Sequence, residues 1–146
     1  MRDVWAVIML VAGGLFAGGS ATFAWSRVPI WRRMSLGEFV TDFDETIRRT
    51  DIVQPALAVV AAVTGVAFAV TEEGSARLLA SLGAAGFVVV LLASLAVMVP
   101  LQRRIVAARG QGNDLEAMRR RWFSGNLGRS VLSVVSFALL VVSTTV

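Results

Sequence analysis

Long uninterrupted runs of apolar residues dominate the chain and alternate with short, arginine-rich connections. Four runs stand out, at 4–25, 52–71, 76–99 and roughly 122–146. Each is close to the ~20 residues that an α-helix needs to cross the ~30 Å hydrocarbon layer of a bilayer. In lipid such a span must satisfy its own backbone hydrogen bonds, as a helix does. The pattern therefore predicts an all-α fold: a polytopic membrane four-helix bundle that forms one integral membrane domain over residues 1–146.

The connection between the first two runs carries a helical pattern of its own over residues 35–49. Ser35 followed by Glu38 matches a capping box, in which the two side chains satisfy the first free N–H groups of a helix. Apolar side chains then recur at helical spacing: Leu36, Phe39, Val40, Phe43 and Ile47. This stripe predicts an amphipathic helix that lies on the membrane face or packs over the bundle. The charged side chains of the opposite face are expected to face water: Asp42, Glu45 and Arg49.

Proline and asparagine indicate where the later spans bend, end or begin. Pro100 is expected to kink or end the third span, with a short helix continuing from there to Gly110. Asn113 and Glu116 repeat the capping pattern and predict the start of the helix that leads into the fourth span.

Small residues cluster on two of the spans. The first span has a face made of Gly13, Gly14, Ala17, Gly18, Gly19 and Ala21. Because small side chains let helix backbones approach closely in lipid, this face is expected to lie inside the bundle. Gly83 and Gly86 of the third span are its expected counterpart.

The distribution of arginine predicts an orientation. The chain contains no Lys, and Arg supplies all 14 basic residues. Most of them, Arg119 included, lie in the two long connections, whereas the opposite side holds only Arg2 and Arg77. By the positive-inside rule, both connections face the cytoplasm and both termini lie outside a plasma (inner) membrane. Arg119 is expected to be a plain surface charge. The first run resembles a secretory signal but continues to Trp25, so it is expected to be an uncleaved span.

Composition narrows the chemistry. The chain has no Cys and no His, which excludes disulfides, thiolate nucleophiles, His-ligated haem, ordinary zinc sites and Ser-His-Asp triads. A pI near 11.4 could indicate a nucleic-acid partner. However, the Arg residues adjoin apolar spans and form no separate basic domain, so no nucleic-acid binding is expected and lipid phosphate is the expected partner.

Polar residues gather where the spans meet the predicted cytoplasmic side. They are Asp51, Gln54, Gln102, Asn126 and Arg129, and at the same level lie Trp25, Arg27, Trp31 and Trp122. Trp122, Asn126 and Arg129 are spaced so that an α-helix projects them from one face. One interpretation is an aromatic belt with arginines reaching for the lipid headgroups. The other is a ligand pocket with a polar floor and apolar walls, in which Arg129 bonds Asp51 directly or through Gln54, Gln102 or Asn126.

Two motifs resemble those of a known family. The run Pro-Leu-Gln-Arg-Arg-Ile at 100–105 closes the third span, and Arg-Trp-x-x-x-Asn-x-x-Arg at 121–129 opens the fourth. With the four-span plan, they resemble the anthrone oxygenase-like membrane proteins, much of which family is catalogued as a domain of unknown function. The resemblance implies oxidation of anthrones to anthraquinones by O₂ without an added cofactor, with Trp122, Asn126 and Arg129 as site residues. The chain departs from the family pattern at Gln102, where Asn is expected, and in having no His near the second motif.

The sequence favours two classes of function over a transporter, because no span carries a charge near its middle. As a cofactor-independent oxygenase, the chain would use Asp51 as a base and Arg129, with Asn126 and Gln102, to stabilise a developing oxyanion. The ligand-binding residues are then Gln54, Gln102, Trp122, Asn126 and Arg129, with no metal. Alternatively, the chain is a non-enzymatic accessory or scaffold subunit. The expected partners are membrane lipid, a hydrophobic aromatic or quinone-like compound, and a larger membrane protein complex or further copies of the chain.

Overall fold

The computed structural model describes residues 1–50 and 52–146, which are almost entirely helical. The elements are α1 (Arg2–Arg33), α2 (Leu36–Thr50), α3 (Val53–Thr71), α4 (Gly74–Ala93), a π-helical turn (Ser94–Met98), α5 (Val99–Ala107) and α6 (Leu115–Ser143). Four rods, namely α1, α3, the continuous α4–π–α5 and α6, are long and apolar enough to cross a membrane. The predicted all-α fold with four candidate spans is confirmed, and the chain is a multi-pass membrane protein.

The four rods pack as a square. α1 contacts α3 and α6, and α4 contacts the same two helices, so that α1 and α4 lie diagonally opposite each other. The interior is filled by large apolar side chains such as Met9, Phe16, Phe68, Phe87 and Leu140. Four crossings leave both termini at one end of the bundle. We call the other end, which carries α2 and the 108–114 loop, the bundle mouth.

The predicted amphipathic helix is present as α2, and its capping box is formed. Glu38 Oε2 accepts hydrogen bonds from the Ser35 hydroxyl at 2.6 Å and from the Ser35 backbone N–H at 3.0 Å. These two bonds, the side-chain one first, lower the pKa of the Glu38 carboxyl from its ordinary value. Phe39, Val40 and Phe43 are buried, so α2 packs its apolar stripe over the bundle mouth.

The prediction for Pro100 is refined by the structure. The third rod continues through this residue to Ala107, and a π-helical turn at Ser94–Met98 precedes it. A proline has no N–H and crowds the carbonyl four residues earlier, so a regular α-helix is disturbed here. The wider turn accommodates this disturbance, since the Val99 N–H bonds the Ser94 carbonyl five residues back. Such π turns often occur at functional sites.

α1 extends beyond the first apolar run to Arg33, and Pro29 lies within its last turns without ending it. Two sequence predictions about helix ends and packing were wrong. α6 begins at Leu115 after Asp114, with no side-chain cap, so Asn113 does not start it. Gly83 and Gly86 do not face the small residues of α1: a Cβ on either would collide with Ser136 of α6. The diagonal placement of α1 and α4 explains this last error.

Candidate functional site

A cavity of about 200 Å³ lies inside the bundle next to the mouth. Its walls are apolar and include Phe16, Phe23, Val90, Leu91 and Met98. Polar side chains from five helices and the π turn line it as well: Ser20, Thr50, Gln54, Ser94, Gln102 and Arg129. The π turn contributes both Ser94 and Met98, so the irregularity at Pro100 shapes one wall. Of the residues predicted to bind a ligand, Gln54, Gln102, Trp122 and Arg129 line this one cavity.

Asn126 lies on α6 about one turn before Arg129 and contacts its side chain. The Arg129 Nη2 donates to Asn126 Oδ1 at 3.0 Å, one of the partners expected for this arginine. Asn126 is completely buried, and its Nδ2 has no hydrogen-bond partner in the part of the chain that the structure describes. Because the guanidinium donates, the amide oxygen must face Arg129 and the amide nitrogen must point elsewhere. Asp51, the predicted acidic partner, lies outside the described residues.

Trp122 separates the cavity from a layer of aromatic rings under α2. Its ring meets Phe43 edge-on with centroids 5.0 Å apart, and Trp31 at 5.7 Å. Phe23, Phe39 and Phe123 complete this aromatic layer. Trp122 is fully buried, yet its indole N–H has no acceptor among residues 1–50 and 52–146. A buried donor without a partner is uncommon, and a ligand or an ordered water is an ordinary explanation.

Serines anchor the helix that carries Asn126. The Ser130 hydroxyl lies 2.9 Å from the Ser20 hydroxyl of α1, and both side chains are buried. Ser130 is also 2.8 Å from the Asn126 carbonyl, one turn back on α6. This contact fixes α6 against α1 at the level of the cavity, so the orientation of Asn126 is set by tertiary packing.

Trp25 and Asp42 lie near the mouth but do not line the cavity. Trp25 is 87% exposed on the outer surface, where it fits an aromatic belt and does not reach the cavity. Asp42 was expected to face water, but it accepts hydrogen bonds from Arg27 Nη2 at 2.9 Å and from the Trp31 indole N–H. These bonds tie α2 to the end of α1 and hold the aromatic layer over the cavity.

Arg119 is not the plain surface charge that the sequence suggested. Its side chain is only 11% exposed and pairs with Glu116. Its Nη1 donates to the carbonyl oxygens of Trp31 at 3.2 Å and Met34 at 3.0 Å. A helix leaves its last carbonyl groups without intrahelical partners, and a cation at this end stabilises them. Arg119 therefore caps α1 from a neighbouring helix.

Gly19 is a site residue that the sequence placed only in a general packing face. A Cβ at Gly19 would lie 2.5 Å from Gln54 Nε2, whereas a Cβ at Gly18 would meet nothing within 4 Å. The missing side chain of Gly19 thus makes room for the Gln54 amide in the cavity wall. The signal in the sequence was the adjacent pair of glycines, but which of the two faces inward could not be read from it.

Comparison with known proteins gives one match. No curated protein and no solved structure matches the chain. A family model described as anthrone oxygenase matches residues 43–139, about two thirds of the chain. The matched region contains every residue that the sequence proposed for the site, from Asp51 to Arg129. The chain therefore belongs to the anthrone oxygenase family.

Proposed function

We propose that the protein oxidises a hydrophobic, fused-ring anthrone to the corresponding quinone with O₂, inside the cavity at the bundle mouth. The observation that carries this proposal is the grouping on α6 of Trp122 and Arg129, which line the cavity, with the buried Asn126 that orients Arg129. The Trp122 and Asn126 N–H donors are fully buried and have no hydrogen-bond partner among the described residues. Positive and N–H-bearing groups in a dry site stabilise a developing oxyanion far better than they would in water.

The reaction needs little machinery beyond a base and an oxyanion site. Removal of one proton from the CH₂ group of the central ring gives a carbanion whose charge spreads onto the ring oxygen. The carbanion adds O₂ and, after protonation, becomes a hydroperoxide. Loss of water from the hydroperoxide leaves the second carbonyl, so one anthrone and one O₂ give one quinone and one water. No group of three or more metal-ligating side chains occurs in the described part of the chain, and this route requires none.

Arg129 is the residue that we place nearest the developing oxyanion. It lines the cavity, is half-buried, and its Nη2 is oriented by Asn126. The Gln102 side chain, 7% exposed, lies on the α5 wall of the same cavity and is a second candidate donor. The Gln102 amide can donate as Asn would, although its side chain is longer by one methylene group.

The proposed base is Asp51. It lies outside the described residues, and its candidacy rests on its place in the sequence. It follows Thr50 and precedes Gln54, both of which line the cavity, and no described residue that lines the cavity carries a carboxylate. A positioned general base contributes roughly 10²–10⁴-fold to a proton-transfer step.

The size of the cavity favours a compact, flat ligand. Its volume of about 200 Å³ is below the roughly 300–1,000 Å³ of sites that enclose drug-sized molecules. A three-ring compound would lie partly in a cavity of this volume and partly at its open side. A flexible lipid tail would leave the polar floor without a partner.

The proposal is tested with the protein in lipid nanodiscs and 1,8-dihydroxyanthrone as substrate. O₂ uptake and quinone absorbance should exceed the autoxidation of empty nanodiscs. Asn126→Ala and Arg129→Gln should each lower kcat by about 10²-fold, as loss of an oxyanion donor does. Asp51→Asn should lower it at least as much, and Arg121→Ala, at an exposed position of α6, is the control. If anthrone oxidation by the wild-type protein were no faster than autoxidation in empty nanodiscs, the proposed activity would be refuted and a non-enzymatic accessory subunit favoured.

We also propose that the bundle mouth faces the cytoplasm of a cell whose plasma membrane holds the protein. The support is the excess of arginine at this end of the bundle. Single cysteines in this Cys-free chain test it: Gln111→Cys in the loop at the mouth and Ser75→Cys at the opposite end, both exposed. A membrane-impermeant maleimide should label intact cells at position 75 and not at 111. The reverse result would invert the orientation.

A further inference from the structure

We propose that the ligand enters the cavity sideways from the bilayer, through an opening between α3 and the π turn that is bordered by Val59 and Leu95. The cavity-lining residues that are exposed, within the part of the chain that the structure describes, are Pro55, Val59 and Leu95. All three are apolar, with Val59 47% and Leu95 65% exposed. This inference rests on the proposed ligand-binding function of the cavity and adds its access route.

The exposed border faces hydrocarbon. Val59 follows the start of α3 at Val53 by six residues, which places it roughly 9 Å along the helix at the 1.5 Å rise per residue. Its exposed neighbours along α3, Val60 and Val63, are also apolar, as expected for a surface in contact with lipid. Leu95 belongs to the helix that packs beside α3, so the two residues lie on adjacent rods.

Within residues 1–50 and 52–146, the water-facing side of the cavity is covered by packed side chains. Trp31, Phe39, Phe43 and Trp122 are all completely buried and pack edge-on against one another beneath α2. Two bonds to Asp42 fasten this cover to the end of α1. A ligand coming from water would have to displace several packed aromatic rings, whereas one coming from lipid meets the exposed apolar side chains of Pro55, Val59 and Leu95.

The π turn explains why an opening lies at this point. A π turn is wider than an α turn, and this one lies beside the wall formed by α3. A polycyclic aromatic compound partitions into the bilayer, so its local concentration is highest at the lipid-facing surface of the bundle. A sideways opening delivers it to the polar floor without passage through water.

The test measures exchange rates of a stable probe, 1,8-dihydroxyanthraquinone, in nanodiscs by quenching of the intrinsic tryptophan fluorescence. Val59→Phe and Leu95→Phe narrow the opening. The matched controls are Val63→Phe and Leu92→Phe, at similarly exposed positions of the same two helices that do not line the cavity. We expect Val59→Phe and Leu95→Phe, the two opening variants, each to slow probe association and dissociation by at least about tenfold. Kd should change little, because a narrowed path raises the barrier in both directions. Leu95→Ala should accelerate both rates.

Several outcomes would overturn the sideways route. One is that the opening variants exchange the probe as fast as their controls. Another is that all four phenylalanine variants exchange it equally slowly. Failure of the oxygenase proposal would look different. The wild-type protein would bind the probe, with exchange rates that depend on residues 59 and 95, yet it would not speed anthrone oxidation. A wild-type protein that binds no probe would remove both the ligand site and its entrance.

Discussion

Replacing Gly19 by alanine should impair the site while leaving the fold intact. The new Cβ would lie 2.5 Å from the Gln54 Nε2, whereas ordinary van der Waals contact begins near 3.4 Å. The Gln54 amide must therefore move by roughly 1 Å, and a misplacement of this size in a site costs about 10²-fold in rate. Alanine is favoured over glycine in a helix by about 1 kcal/mol in soluble hosts, so the variant should be at least as stable as the wild type.

Gly18→Ala is the matched control. It makes the same chemical change one position earlier in α1, and its Cβ would meet nothing within 4 Å. Oxidation of 1,8-dihydroxyanthrone and binding of 1,8-dihydroxyanthraquinone should both be measured, together with the melting temperature of each variant in nanodiscs. We expect Gly18→Ala to keep wild-type activity and affinity, and Gly19→Ala to lose most of both with an unchanged or higher melting temperature.

Two results would refute this reasoning. If Gly19→Ala turned over and bound the ring compounds as well as Gly18→Ala, the position of the Gln54 amide would be irrelevant to the site. If Gly19→Ala instead lost stability in parallel with activity, the glycine would serve close packing of α1 against α3, which are neighbours in the bundle. Gln54→Ala separates the two, since it removes the amide without crowding the helices.

Two further predictions concern the arginines of α6. Arg119→Ala should destabilise the protein by roughly 2–4 kcal/mol, because it removes two charge-assisted hydrogen bonds to the Trp31 and Met34 carbonyls. Arg121→Ala, at an exposed position, should change stability by less than about 0.5 kcal/mol. Arg129→Ala should cost about 1.5–3 kcal/mol, less than for a fully buried charge because its side chain is only half-buried, and should also weaken probe binding. Chemical unfolding in nanodiscs measures both, and an Arg121→Ala variant as unstable as the other two would contradict them.

The all-α class and the four candidate spans could be predicted because both follow from hydropathy. Four largely apolar runs of twenty or more residues predict a bundle of spans. The stripe of α2, having no soluble core to cover, had to pack on the bundle or the membrane. The capping box at Ser35 was predictable for a similar reason: it depends on residues three apart in one helix. Hydropathy could not give the diagonal arrangement of α1 and α4, which is set by packing between the rods. For this reason the prediction that Gly83 and Gly86 face α1 was wrong.

The sequence predicted at which end of the bundle the site lies, but it did not predict which side chains contact one another there. Gln54, Gln102 and Arg129 come together at the cavity because each begins or ends a span at the same side. The rotation of each helix about its own axis decides which neighbours face inward, and the sequence carries little information on it. Trp25 and Trp31 illustrate this: both lie near the end of α1, yet the first faces outward and the second is fully buried.

The three consecutive arginines at 119–121 show why charge patterns alone mislead in such a protein. All three follow a stretch of polar sequence, and the positive-inside rule counts them equally. In the structure the first lies against the end of α1, where the carbonyls of its last turn need donors, while the other two are exposed. The difference arises because α1 runs on to Arg33 and so ends beside Arg119, and the apolar run that ends near Trp25 gave no indication of that length. A stability comparison for Arg129 must therefore use Arg121 as its reference, because an Arg119 variant would lose a helix cap in addition to its charge.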